Sequence, residues 1–208
     1  MDPSTNHRGW AERSDEFSPT YYAELGPNKV SNSLVTLLDH YCSREVSILA
    51  LGCSSGRHLA HLYADGFENL TGIDINDDSF AVMANVYPAL SEEGQFHTGA
   101  IEDVVPGFAD DAFDVVYSVE TLQHIHPDDE RVFDELVRIT DELLVTIENE
   151  GPDPETGNTD EQVEHVDGQF PLYRRNWNRI FTNRGLTERF CHPSKPDTIR
   201  AFGTREND

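Results

Sequence analysis

The run Ile48-Leu49-Ala50-Leu51-Gly52-Cys53-Ser54-Ser55-Gly56-Arg57-His58-Leu59 carries the sharpest chemical signal in this sequence. It reads as an apolar strand, a turn of small residues and the start of a helix. Such a turn lets backbone approach a ligand closely, and the helix N-terminus offers unpaired N–H groups to a carboxylate or phosphate. A second apolar run, Leu70-Thr71-Gly72-Ile73-Asp74-Ile75, carries Asp74 at its end, where a carboxylate can accept hydrogen bonds from two ribose hydroxyls. Together, in a strand–turn–helix–strand unit of the right length, these features point to an adenosine-containing ligand. The glycine spacing is not the G-x-G-x-x-G of dinucleotide sites, and no Walker lysine stands near the turn.

Candidate bases follow a later apolar run, Phe113–Val119: Glu120, His124 and His126. Histidine suits proton transfer because its ordinary pKa is near neutrality. His124 stands four residues after Glu120, one helical turn, so a helical segment would let the two pair. His126 precedes Pro127 and has a second reading as a helix cap. His58 and His61 fall on the first helix as surface or packing residues. No His/Cys/Asp spacing supports a metal site, and Asp77-Asp78 and Asp110-Asp111 read as acidic turns.

The elements that must position these groups alternate. Apolar runs at 46–51, 70–75, 96–101, 113–119 and 142–147 are separated by helical patterns. The clearest helix covers 127–140, where Pro127 and three acids open it and Val132, Phe133, Leu136, Val137 and Ile139 share a face. After it, Trp177, Ile180 and Phe181 repeat at helical spacing up to Gly185, and β-like runs follow at 186–191 and 198–204 around a turn-prone HPSKPD. Strand–helix alternation predicts an α/β fold with a mostly parallel sheet and helices on both faces. Residues 1–30 read as a partly helical N-terminal arm, 31–208 as a single domain, and 151–170, rich in Pro, Gly and acids without periodicity, as a loop or lid.

Composition sets the outer bounds. The chain has 208 residues with 39 Asp+Glu against 15 Lys+Arg, a formal net charge of −24. Lys29 and Lys195 are its only lysines. An acidic, lysine-poor surface is what a salty cytoplasm selects, since ionic strength screens the repulsion. The other reading is an acidic face for a basic partner. Nucleic acid is disfavoured as a partner because phosphates need basic patches. With no long apolar run and no signal-like start, the reading is a soluble, cytoplasmic protein. Cys42, Cys53 and Cys191 form no CxxC pair, which argues against a disulfide framework.

From residue 31 to about 204 the sequence resembles the class I S-adenosylmethionine-dependent methyltransferases. LALGCSSG stands where that family has a hydrophobic-Leu-Glu-Leu-Gly-Cys-Gly-Ser/Thr-Gly motif, GIDIN is similar to its second motif, AIED to its third and FDVVYSVETLQHIHP to its fourth. The resemblance implies a Rossmann-like, doubly wound, seven-stranded sheet and S-adenosyl-L-methionine as cofactor. It implies that Gly52, Cys53, Ser54 and Gly56 flank the methionine part and that Asp74 and Ile75 meet the ribose. Ile101 and Glu102 would meet the adenine, with Ser118, Val119 and Glu120 beside the methyl group. It also gives His124 a second role, packing against the sheet end. Two residues depart from the pattern: Ala50 replaces an acid that helps bind the methionine amino group, and Ser54 replaces the middle glycine. Tyr21 or Tyr22 of the arm is a candidate to compensate for Ala50.

No Asn/Asp-Pro-Pro-aromatic motif follows the fourth strand and no Pro-Cys dipeptide exists, which removes the signs of base methylation. The small appended elements favour a hydroxyl of a small molecule or sugar as methyl acceptor. Arg174, Arg175 and Arg179, concentrated in a chain poor in cations, are expected to orient an acidic acceptor such as a uronic acid, because guanidinium binds both carboxylate oxygens. A lower-specificity similarity links the chain to surface-glycan methyltransferases, and a lipid-linked acceptor would bring peripheral membrane contact. Methylation of RNA or protein, and non-catalytic cofactor binding, are the alternative readings.

Overall fold

Four consecutive apolar residues, Ile48–Leu51, form strand β1, and all four are buried. A strand covered on both faces requires that pattern. In this computed structural model the described residues are 2–150, 162–166, 170–194 and 196–204. They fall into two units, His7–Val104 and Met1–Asn6 with Val105–Asp208.

In the N-terminal region lie helices α1 (Pro3–Ala11), α2 (Pro19–Leu25) and α3 (Lys29–Tyr41). Ser18 caps α2 by accepting from the Tyr21 N–H, with Pro19 in its first turn. Asn28 and Ser31 close a capping box on α3, whose Leu34, Leu37 and Leu38 are buried at helical spacing. After β1 come α4 (Arg57–Ala64), β2 (Leu70–Asp74), α5 (Ser79–Val86), α6 (Pro88–Glu93), β3 (Gln95–Thr98) and α7 (Ile101–Val104). Strands β3, β2 and β1 lie in that order and pair in parallel.

The second unit holds β4 (Phe113–Val119), α8 (Val132–Ile139), β5 (Thr140–Asn149), β6 (Gln162–Val166), β7 (Phe170–Arg174), α9 (Trp177–Thr182), β8 (Thr187–Ser194) and β9 (Asp197–Gly203). Here β4 pairs with β5 in parallel, while β5–β9 and β9–β8 are antiparallel. Its core includes an aromatic cluster in which Phe133 packs 5.8 Å from Trp177 and Phe181 packs 5.3 Å from Phe202. Leaving aside β6 and β7, these are seven strands, mostly parallel and joined largely through helices, the Rossmann-like α/β class expected from the alternation.

Three expectations are corrected. The stretch 151–170 is not loop throughout: Gln162–Val166 is a strand, paired antiparallel with Phe170–Arg174 as a separate hairpin. Its period was hidden because exposed Val163, Glu164 and His165 leave this strand without a buried face. Residues 151–161 and 167–169 lie outside the described residues. Pro127 opens a 3-10 turn, Pro127–Asp129, and the α-helix begins only at Val132. The third apolar run ends at Thr98, with Ile101 already helical.

Candidate functional site

The turn after β1 is built on three left-handed residues, Gly52 (φ +61), Ser54 (φ +50) and Gly56 (φ +80). Glycine adopts this geometry freely, and Ser54 adopts it at a cost of about 1–2 kcal/mol. The Cys53 N–H donates to the Ile73 carbonyl of β2 at 2.9 Å, and the Gly56 N–H to the Cys53 carbonyl at 2.9 Å. The left-handed Ser54 presents its N–H to Asp74 Oδ2 at 2.7 Å. A Cβ on Gly72 would lie 2.6 Å from Cys53 Sγ, so β2 needs glycine where the turn folds against it.

Asp74 also accepts, on Oδ1, from the Asn76 N–H at 2.9 Å and the Ser79 hydroxyl at 2.8 Å. Burial pushes its carboxyl above the ordinary value, and the hydrogen bonds pull the other way. A carboxylate has about four lone-pair sites. Three are taken within the fold, which corrects the reading of Asp74 as a clamp on two ribose hydroxyls. It fastens the turn first and keeps about one site, on Oδ2, for a ligand hydroxyl.

At the start of α4 no side chain caps the helix, because the capping residue is Gly56. Ser55 is fully buried and its hydroxyl has no hydrogen-bond partner among the described residues. An uncapped helix start beside an unpaired buried hydroxyl is a place where a carboxylate fits. Tyr22 from the arm lies at this turn, with the Arg57 guanidinium 4.7 Å over its ring. Buried Asn76 ties the arm down by donating to the carbonyls of Trp10 and Arg13 at 3.3 and 3.0 Å. Ile75 is half-buried, Ile101 is buried, and Glu102 pairs with His7 of α1 at 3.3 Å. His58 is a packing residue, as expected: its Nδ1 meets the Ser31 hydroxyl at 2.9 Å, and burial pushes it down to about 3.

In the other unit, the segment that follows β4 is a short 3-10 turn, Leu122–His124, so the one-turn pairing of Glu120 with His124 through a longer helix does not form. Glu120 is exposed and left-handed, at φ +48. The His124 ring donates to the Pro171 carbonyl at 3.0 Å, and burial lowers its pKa to about 4. A ring held in this way and so reluctant to take a proton fits the packing reading of His124. His126 caps the next turn by accepting from the Asp128 N–H at 3.1 Å. Ser118 is only 1% exposed, so a ligand would meet its backbone rather than its hydroxyl, while Val119 is half-buried.

Most of the residues that hold these groups were not singled out by the sequence. Fully buried Glu148 of β5 accepts from the N–H groups of Thr121 and Leu122 on Oε1, at 3.0 and 3.1 Å, and from Gln123 on Oε2 at 3.3 Å. Asn6 donates to the His124 carbonyl at 3.0 Å. Buried Arg175 donates to the carbonyls of Ile125 and Leu122 at 2.8 and 3.4 Å and pairs with Glu130 at 3.4 Å. Arg175 is therefore a fastener for this segment and not a substrate group. Arg174 pairs with Glu164 across the hairpin at 2.9 Å, and Arg179 stands exposed on α9. The three arginines do not converge, because adjacent strand residues face opposite ways. The uronic-acid expectation loses its anchor.

Comparison with known proteins points to one family. Residues 49–142 match the family model described as a methyltransferase domain. This stretch is similar to a methyltransferase domain. It runs from β1 through the Asp74 turn and β4 to the start of β5, the part of the chain in which the motifs were read. A curated O-methyltransferase of Pyrenophora dematioidea is 26% identical over 120 residues, covering 58% of this chain and 43% of that protein. The match thus spans less than half the length of the curated relative. Among solved structures, a geranyl diphosphate C-methyltransferase from Streptomyces coelicolor superposes with a TM-score of 0.73 at 13% identity, covering 99% of this chain and 100% of that one. A S-adenosylmethionine-dependent methyltransferase from Methanosarcina mazei gives 0.64 at 16% identity, covering 80% and 96%. These neighbours share the fold of the methyltransferase domain. Among the described residues no helix is long and apolar enough to cross a membrane.

Proposed function

We propose that this protein transfers a methyl group from S-adenosylmethionine to a hydroxyl of a small molecule or sugar. The observation that carries the reading is the turn Gly52–Gly56: an uncapped helix start and an unpaired, buried Ser55 hydroxyl beside an Asp74 with one lone-pair site left. The α4 N-terminus and Ser55 would receive the methionine carboxylate, and Asp74 one ribose hydroxyl. Ile75, Ile101 and Glu102 would border the adenosine, and Tyr22 would cover the turn from the arm. When bound, the cofactor supplies an activated methyl group on a sulfonium, so the chain need only align an oxygen and receive its proton. Oxygen as the acceptor atom is supported by the curated relative named an O-methyltransferase.

The test is calorimetry with S-adenosylmethionine and S-adenosylhomocysteine in molar KCl, followed by tritium transfer from labelled S-adenosylmethionine into fractions of a cell extract. Binding of both nucleosides and label in the small-molecule or glycan fraction are expected. No binding at millimolar nucleoside would end the reading. Label confined to RNA or protein would replace its acceptor class.

A further inference from the structure

We propose that Asp197, at the start of β9, is the base that receives the proton of the acceptor hydroxyl. The inference rests on the reading of methyl transfer to oxygen and adds the residue that the reading lacks, since His124 and His126 are committed elsewhere. Asp197 is the first residue of β9 and lies in register with Asn149, the last residue of β5. Glu120 immediately follows the last residue of β4. Glu120 therefore stands at the carboxyl end of β4 and Asp197 beside the carboxyl end of β5, the edge where α/β sheets bind ligands.

Asp197 is held as a catalytic group has to be held. It is 8% exposed, and Asn149 Nδ2 donates to its Oδ1 at 3.0 Å. Asn149 is itself fixed, its N–H donating to Gln123 Oε1 at 3.1 Å and its carbonyl accepting from Trp177 Nε1 at 2.9 Å. Among the described residues none hydrogen-bonds Asp197 Oδ2. Burial, and after it the negative charge of Glu120, push the Asp197 carboxyl up to about 7. A base with that value is matched to a neutral site. The other charged groups of the neighbouring strands are engaged: Arg200 of β9 with Glu150 and with Glu188 of β8, and Glu148 of β5 with the turn amides. In the step itself the acceptor O–H bond breaks and its proton goes to Asp197 Oδ2. The oxygen lone pair forms the new bond to the methyl carbon, and the carbon–sulfur bonding pair stays on sulfur.

The full chain labelled with carboxyl-¹³C aspartate is titrated by NMR with S-adenosylhomocysteine present. One aspartate signal is expected to titrate near pH 7, to vanish in Asp197→Asn and to move to lower pH in Glu120→Gln. With the extract fraction that takes tritium, Asp197→Asn should lower kcat by about 10²–10⁴-fold. S-adenosylhomocysteine affinity should stay within about threefold of wild type, and Asp197→Glu should recover part of the rate. Titration of Asp197 below pH 5, or a kcat for Asp197→Asn within about threefold of wild type, overturns the proposal. Failure of the wild type to bind S-adenosylhomocysteine is a separate result and overturns the methyl-transfer reading beneath it.

Discussion

Glu148 should make the protein lose stability as the pH rises, and the amount can be worked out. Its carboxyl has no solvent exposure, and burial pushes it from 4.5 to about 7 against the pull of three backbone N–H donors. Below pH 4.5 it is protonated in both the folded and unfolded chains and contributes no pH dependence. Between 4.5 and 7 the unfolded chain ionises while the folded chain does not, so each pH unit removes about 1.4 kcal/mol. Over the window the loss comes to roughly 3 kcal/mol, complete above pH 7. Glu148→Gln removes the titration. It keeps an oxygen for Thr121 and Leu122 but turns an NH₂ toward the Gln123 N–H, a mismatch of about 1–3 kcal/mol. Urea unfolding of both proteins at pH 5, 6, 7 and 8 in constant KCl isolates the effect, because Asp74 and Asp197 cancel in the difference. The wild type should be the more stable at pH 5, and the gap should shrink by about 2.5 kcal/mol by pH 8. A gap that stays constant within about 0.5 kcal/mol across that range would refute the burial argument.

Ser54→Gly should relieve the left-handed strain at φ +50. Net of glycine's larger chain entropy, the urea midpoint should rise by the equivalent of up to about 1 kcal/mol, and a fall would show that the Ser54 side chain makes an unrecognised contact. Gly56→Ala should do the opposite: φ is +80 and the new Cβ would meet Met83 Cε at 2.6 Å. A loss of about 1–3 kcal/mol is expected, together with weaker S-adenosylhomocysteine binding by calorimetry. Asn76→Ala removes both bonds to the arm carbonyls. Amide exchange should then accelerate across residues 7–25, and unchanged exchange would mean that the arm is held elsewhere. With a net charge of −24, the melting temperature should climb between 0.1 and 2 M KCl as the Debye length falls from about 10 Å to under about 3 Å.

The part of this molecule legible in its sequence is the part whose causes are local. Most of the sheet strands announce themselves as apolar or β-like runs, and the Gly52–Gly56 turn, with its three left-handed residues, needs the small residues that mark it. Asp74 stands out because a carboxylate at a strand end beside such a turn is conspicuous. Even there, sequence misjudges its work. Whether an acid points at a ligand or back at the Ser54, Asn76 and Ser79 donors depends on the turn's path.

The segment after β4 is the opposite case. His124 and His126 are attractive as types and spacing, yet their availability is decided by Pro171 and Asp128, groups that become partners only through the β6–β7 hairpin and a 3-10 turn. Glu148 lies 27 residues along the chain from the Thr121 amide it accepts, Asn6 is 118 from His124, and Arg175 is 50 from Ile125. No periodicity encodes such pairs. In a sequence with 39 acids, a single buried glutamate looks like every other. Asp197 shares that anonymity: an acid in a turn-prone stretch becomes chemically distinct only when β9 pairs with β5 and brings it to Asn149, within reach of the Glu120 charge. A chemically perturbed acid in a chain this rich in carboxylates is thus made by burial and strand register, and it must be sought where a buried carboxyl meets an unburied one.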